Sequence, residues 1–470
     1  MHTRRSFNFK EAALVTAVVV IAAAAAGVLN PRDATTTRDA PSRLAGLTST
    51  VAAEARVAAR QLTDTSAMQQ FRPGYGFWEH VFAIPDGSIV FGSAADGRRL
   101  AVTRAMNMKQ REAFAERLQA KYGPVLHNET RGTFASPGLR TYGPFLAEWG
   151  SIYQRFGVPR EIGLAQALLE SGFIGKRRSE ANAVGLCQFL ESNWKLLDRL
   201  DPAVIEIGNQ TTQAAYCAAY LTVLATKYDS FIPALSEHHA GGTNVGRVLV
   251  NGERLGGRTA RDQYFLGSDF AVGLRTIGDG DYKPIYGSYG PRSYRYAEMV
   301  FGNAARIEAT IDSTPQTRIF AMRTTRAIPI AEVARRAGLT EEDVRRYNPA
   351  LVTRVPAGAT LYLPEYIPAF GDDVSFWHRA ADASFTALLD EFTTLDVSPR
   401  EWESRAFAPT LKDFSRRFRA TGTEEGIVMG TILDYVAREA AGPRSTILAN
   451  FRSSEKILTL FEEGAVALGE

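Results

Sequence analysis

The stretch Ala-Gln-Ala-Leu-Leu-Glu-Ser-Gly-Phe (165–173), followed by Ser-Glu-Ala-Asn-Ala-Val-Gly-Leu-Cys-Gln (179–188), decides how this 470-residue chain is read. The first run sets one carboxylate, Glu170, at the end of an apolar stretch, and the second supplies Ser179, small residues and Gln188 close behind it. A carboxyl group at the edge of an apolar wall has its pKa raised, because desolvation disfavours its charged form. Such a group can donate a proton near neutral pH, as a general acid in glycosidic bond cleavage must. Ile162, Ala165 and Leu169 recur at helical spacing, which predicts a helix that faces a core and leaves Glu170 at its rim. Taken alone, Glu170 reads as a solvated residue at a helix end. The second run makes it a candidate.

Working outward, the chain from Tyr142 to Ile311 is mostly helical in pattern. Ala214, Cys217, Ala218, Leu221, Ala225 and Tyr228 define one buried face, with Thr211 as the expected N-cap. Between about Gly241 and Tyr294 the segment is rich in Gly and Tyr with weak periodicity, and reads as a long irregular stretch bordering a groove. Upstream, a small α+β module is expected over residues 46–135. It has a helix over Leu47–Leu62, a hairpin through Pro85-Asp86-Gly87-Ser88, and a third strand at Leu100–Val102 after a second Asp-Gly. Downstream, residues 316–366 read as a βααβ unit. A strand at Arg318–Arg323 leads to a helix from Ile330 that stops at Gly338. A second helix is capped by Thr340, and a closing strand ends at Pro364. Residues 370–470 are helical, with stripes Phe385/Leu388/Leu389/Phe392 and Phe407/Leu411/Phe414/Phe418 that belong to a bundle core. The expected fold class is therefore mainly α, with two small mixed modules.

Composition narrows the function. A net charge of +3 with no basic block argues against a nucleic-acid partner. Arg4, Arg5 and Lys10 precede an apolar run from Ala12 to Leu29, which reads as an export signal or a membrane anchor that places the rest of the chain outside the cytoplasm. Residues 31–45 read as a tether. Cys187 and Cys217 are the two cysteines; outside the cytoplasm they are free to pair, and otherwise they pack as buried thiols. The histidines are scattered apart from His238-His239, so no metal site is expected, and no cofactor is implied.

At residues 165–188 the chain resembles the lytic transglycosylases of the soluble-lytic-transglycosylase type (glycoside hydrolase family 23), a lysozyme-like family that cleaves peptidoglycan. Glu170-Ser171-Gly172-Phe173 fits the family's Glu-Ser-x-Phe element. Ser179 and Gly185-Leu186-Cys187-Gln188 fit its second element at the family's spacing. The wording Ala181-Asn182-Ala183 looks closest to the membrane-bound D-type branch, whose members carry LysM repeats. Residues 318–364 are similar to a LysM module at Ala331–Ala334, Asn348-Pro349 and Ala357-Gly358 through Pro364, with Thr325-Arg326-Ala327-Ile328 in place of the usual Gly-Asp-Thr-Leu. The resemblance covers roughly residues 140–365. It implies a lysozyme-like α-helical domain over 136–312 and a LysM-like peptidoglycan-binding module over 316–366.

The resemblance implies Glu170 as the single acid and base, with Ser179, Gln188 and Tyr296 contacting the sugar or the carboxyl group. Where the family has Ala-Tyr-Asn-Ala-Gly, this chain has Glu237-His238-His239-Ala240-Gly241, so His238 stands in for a substrate-positioning Tyr, with His239 beside it. Imidazole spans similar reach but titrates near neutrality. Glu237 reads as a helix residue paired with a nearby Arg. The implied partners are peptidoglycan glycan strands and, through residues 12–29, the inner membrane, with the remainder periplasmic. The competing expectations are a hydrolytic muramidase or chitinase on the same scaffold, and a binding scaffold without turnover.

Overall fold

A computed structural model describes residues 58, 60–61, 63–64, 82–83, 88–92, 99–103, 135–201, 208–277, 296–376, 383–441, 462–467 and 469. The apolar run 12–29, the tether 31–45 and the aromatic pair Phe77-Trp78 lie outside the described residues. Among the described residues no helix is long and apolar enough to cross a membrane. Of the upstream module, three antiparallel strands in the order β1-β2-β3 are described: β1 (Phe82–Ala83), β2 (Ser88–Gly92) and β3 (Arg99–Thr103). They fall where the two Asp-Gly signals put them.

The chain is mainly helical, and its central part is built around one helix. In order come α1 (Ala135–Tyr142), α2 (Leu146–Arg155), α3 (Arg160–Ser171), a two-stranded hairpin β4 (Ala183–Val184) and β5 (Phe189–Leu190), and α4 (Glu191–Leu200). Then follow α5 (Gln210–Tyr228), α6 (Phe231–Ala240), α7 (Gly242–Arg254), α8 (Ala260–Ile277) and α9 (Tyr296–Ser313). The pattern predicts one buried face for α5, yet every residue of that helix except Tyr220 is buried. A helix enclosed on all sides carries apolar or small residues all round, and α5 is the axis on which α2, α6 and the C-terminal helices pack. Asn209, not Thr211, holds the N-cap position. Thr211 instead lies inside the helix, where its hydroxyl accepts from the indole of Trp149 at 3.1 Å.

The expected irregular stretch from Gly241 onward is two helices, α7 and α8, up to Ile277; residues 278–295 lie outside the described ones. The glycines that weakened the periodicity do a packing job. A Cβ on Gly252 would stand 1.8 Å from the carbonyl oxygen of Gln263, and one on Gly267 would stand 1.9 Å from that of Val248. Both absences let the two helix backbones touch, at an intrinsic cost of about 1 kcal/mol per helical glycine relative to alanine.

The βααβ order is present and three further strands join it: β6 (Phe320–Thr324), β7 (Ile328–Pro329), α10 (Ile330–Ala337), α11 (Glu341–Tyr347), β8 (Arg354–Val355), β9 (Thr360–Leu363) and β10 (Val374–Phe376), of which β7, β8 and β10 are the additions. β6 lies between β10 and β9, antiparallel to both, so the unit runs beyond residue 366. Thr340 forms a capping box with Asp343. Its own small core centres on Met322, Val333, Val344 and Leu361. It is not a bead on a string. Tyr362 bonds Thr212 of α5 through its hydroxyl at 2.7 Å, and Tyr347 meets Phe145 edge to face.

Four helices follow: α12 (Ala383–Thr393), α13 (Pro399–Trp402), α14 (Ala408–Ala420) and α15 (Glu424–Ala441). Both aromatic stripes point inward, and Phe385 packs edge to face on Phe156 of the central unit. One apolar core therefore runs from Leu146 and Ile162 through Leu224 to Phe418 and Leu433. The region expected as a separate helical tail shares the core of the domain that carries Glu170.

Candidate active site

Glu170 sits in the last turn of α3. Gly172 ends that helix in the left-handed region (φ 61°), and Phe173 follows at φ 67°, so the chain turns sharply away immediately after the carboxylate. The buried hydroxyl of Ser171 donates to the Ala167 and Leu186 carbonyls at 3.1 and 3.0 Å, which ties the helix end to the second run. Gln213 of α5 completes the tie: its Oε1 accepts from Leu186 N at 2.8 Å and its Nε2 donates to the Gly175 carbonyl at 3.0 Å. Gly185, at φ 90°, lies so close that a Cβ there would meet the Gln213 amide at 2.7 Å. The spacing between the two runs is thus a tertiary requirement, met through one buried amide that the sequence reading passed over.

The Glu170 side chain is 14% exposed. Burial pushes its pKa up to about 7, and the hydrogen bond from Tyr296 pulls in the opposite direction. Tyr296 stands in the first turn of α9, which packs antiparallel to α3 and is held there by the Arg160–Glu308 ion pair. Its hydroxyl donates to Glu170 Oε1. Burial and the nearby Glu170 hold the phenol well above its ordinary pKa, so it stays a donor. The His239 ring stacks on the Tyr296 ring, with centroids 4.3 Å apart and planes 2° from parallel, and its Nδ1 lies 3.9 Å from Glu170 Oε1. That distance is outside hydrogen-bond range.

The two histidines do different things. His238 faces the other way along the cleft: its Nε2 is 2.7 Å from the Cys187 carbonyl, and its ring packs against Phe189 and Tyr220. A carbonyl accepts only, so Nε2 carries the proton. Burial pushes the imidazole pKa down to about 4, and the bond to Cys187 offsets only part of that. The position expected to replace a substrate-positioning Tyr is therefore a neutral clamp on the second run, and His239 is the imidazole beside the carboxyl group. Cys187 itself is bonded to Cys217 in a disulfide, which anchors the same loop to α5.

Ser179 and Gln188 border the cleft from the loop side. The Ser179 hydroxyl accepts from Ala183 N at 3.0 Å and closes the tight turn before β4. Gln188, at φ 52°, donates its amide nitrogen to the Arg177 and Gly185 carbonyls, both at 2.9 Å. Left-handed backbone on a non-glycine residue costs of order 1–3 kcal/mol, and such positions cluster at functional sites. Phe173, Asn182 and Gln188 all adopt it around Glu170.

The cleft encloses about 630 Å³. Besides Glu170, the carboxylates that line it among the described residues are Glu237 and Glu403. Glu237 pairs with Lys227 (2.9 Å) rather than with an arginine, and also accepts from the Tyr228 hydroxyl; Glu403 pairs with the same Lys227 at 2.7 Å. Among the described residues no group of histidine, cysteine and carboxylate side chains could hold a metal ion. Lys227, Trp402, Glu403 and Tyr435 were not expected at the site. Lys227 is the one charged residue of α5, which was the signal available for it; nothing in the sequence points to the others. Chemically, the site holds a proton donor poised near neutral pH beside a cleft lined by both polar and apolar groups. No known protein family matches the chain, and no curated protein is similar to it.

Proposed function

We propose that this protein is a peptidoglycan lytic transglycosylase, with Glu170 as its single acid and base. The observation that carries the reading is the environment of Glu170: a desolvated carboxyl group with a pKa of about 7, hydrogen-bonded to Tyr296 and facing a cleft whose other carboxylates, among the described residues, are both paired with Lys227. A retaining or inverting glycosidase of the usual kind needs a second free carboxylate as nucleophile or base. Glu237 and Glu403 are held by a cation instead, which favours chemistry with one carboxyl group.

In that chemistry Tyr296 occupies Oε1 of Glu170, and Oε2 carries the proton. The protonated carboxyl group gives its proton to the oxygen linking MurNAc to GlcNAc as the bond from MurNAc C1 to that oxygen breaks. The N-acetyl carbonyl of the same MurNAc stabilises C1. Glu170, now a carboxylate, takes the proton from the MurNAc 6-hydroxyl as its oxygen bonds to C1. The product is a 1,6-anhydro sugar, the carboxyl group is protonated again, and no water is consumed. The lysozyme-like reading of residues 136–312, the LysM-like reading of 316–366 and a location outside the cytoplasmic membrane all belong to this proposal. The motif around Glu170, the βααβ order, the apolar run at 12–29 and the Cys187–Cys217 disulfide support them.

The test is incubation of the protein with purified sacculi. Anhydro-muropeptides are expected from the wild type and none from Glu170→Gln. Products heavier by one water would mark a hydrolase, and lysis by the Gln variant would overturn the role of Glu170.

A further inference from the structure

The cleft beside Glu170 lies between two flanks. The 179–193 segment, ending in α4, forms one, and the end of α6 from Glu237 to Gly242 forms the other. The C-terminal helices are fastened to both. On the α4 side, Arg419 of α14 reaches Asp201, the residue that follows α4, at 3.1 Å, and α15 packs along α4 itself. On the α6 side, Glu403 just after α13 meets Lys227, which also holds Glu237 of α6. Between these anchors Tyr435 of α15 packs edge-on to Tyr220, and Trp402, Glu403, Tyr435 and Val436 line the cleft together with Glu170.

This wall is part of the fold. Its helices share the core of the central unit, and Arg155 of α2 bonds Glu425 of α15 at 2.7 Å. Burial opposes the charge on Lys227, but Glu237 and Glu403 outweigh it and keep its pKa raised. A carboxylate facing a saccharide accepts hydrogen bonds from its hydroxyls. The cleft volume, about 630 Å³, falls within the roughly 300–1,000 Å³ of pockets that enclose one small ligand.

We propose that the C-terminal helices close one end of the catalytic cleft, so that a glycan strand is taken by its terminus, with the terminal saccharide unit seated against Glu403 and Tyr435. Among the described residues the bridge joins both flanks at that end, where a strand would otherwise continue. The inference rests on the transglycosylase reading and adds to it where along a strand cleavage begins.

The experiment uses the full chain and long, purified glycan strands, with products sized early in the digestion. Anhydro products of one short, uniform length are expected to exceed longer fragments by about tenfold in moles, the effect of a positional preference of about 1.4 kcal/mol. Tyr435→Trp, which adds bulk at the closed end, is expected to raise KM about tenfold with kcat and melting temperature kept. A broad ladder of long anhydro fragments at early times would overturn the closed end while leaving the transglycosylase reading intact. An unchanged KM in a folded Tyr435→Trp variant would overturn the seating of the terminal unit there. The absence of any anhydro product would instead remove the reading on which the inference stands.

Discussion

The hydroxyl of Tyr296 donates to Oε1 of Glu170 across the contact between two antiparallel helices, from residues 126 positions apart. Burial decides the acidity of Glu170, and this bond works against it. It favours the charged form and so opposes the burial that raises the pKa to about 7.

Tyr296→Phe removes the donor and keeps the ring that stacks on His239. The pKa of Glu170 is expected to rise further, by about one unit, since a hydrogen bond to a charged group contributes about 1.5–3 kcal/mol. The alkaline limb of the kcat/KM–pH profile on peptidoglycan should move upward with it, and kcat should fall by about tenfold to a hundredfold. A loss of rate with no movement of that limb would mean that Tyr296 acts through packing alone.

Glu170 also costs the fold stability. Its pKa is raised from 4.5 to about 7, so the stabilising contribution of the protonated group is complete below pH 4.5 and is lost as pH rises through about 7. Glu170→Gln keeps an acceptor for Tyr296 and removes the titration. Denaturant unfolding should find this variant more stable than wild type by about 2–3 kcal/mol at pH 8 and nearly equal at pH 4.5. In the wild type, kcat/KM should decline above about pH 7 as the acid ionises.

His238 should show the opposite slope. Its pKa is lowered to about 4 in the folded protein, so the unfolded chain takes up a proton first on acidification. The stability it contributes is complete above about pH 6.5 and is lost as pH falls through about 4. His238→Phe leaves the Cys187 carbonyl without its donor, at a cost of about 1–3 kcal/mol at pH 7. The same substitution should flatten the loss of stability between pH 6.5 and 4, measured by urea unfolding.

Two kinds of glycine can be told apart by substitution. Gly267→Ala drives a methyl group into the Val248 carbonyl and should cost more than about 3 kcal/mol by separating α7 from α8. Gly256→Ala has open space around it, but its φ of 91° strains an L-residue, so a loss of about 1 kcal/mol is expected. Thermal unfolding of the two variants makes the comparison.

Much of this protein is determined by short-range pattern. The helix carrying Glu170, the three strands at the Asp-Gly turns, the capping box at Thr340 and the aromatic stripes of α12 and α14 follow from spacing, turn chemistry and caps, which act over a few residues. The pairing of Glu170 with Ser179 and Gln188 is also legible there, because the loop between them is short. Other features depend on groups far apart in sequence meeting in space. The α7–α8 pair reads as a loop because a glycine that permits contact cannot be distinguished locally from one that breaks a helix. His238 and His239 are adjacent in sequence, yet the turn of about 100° between successive helix positions sends one to the Cys187 carbonyl and the other to the ring of Tyr296. Glu403 and Tyr435 enter the cleft from more than 160 residues beyond it because the C-terminal helices bury their aromatic stripes on the same core as Glu170. Local chemistry alone makes Glu170 a candidate acid; its desolvation, its bond to Tyr296 and the shape of the cleft before it come from burial of distant apolar surface, which no short stretch of sequence encodes.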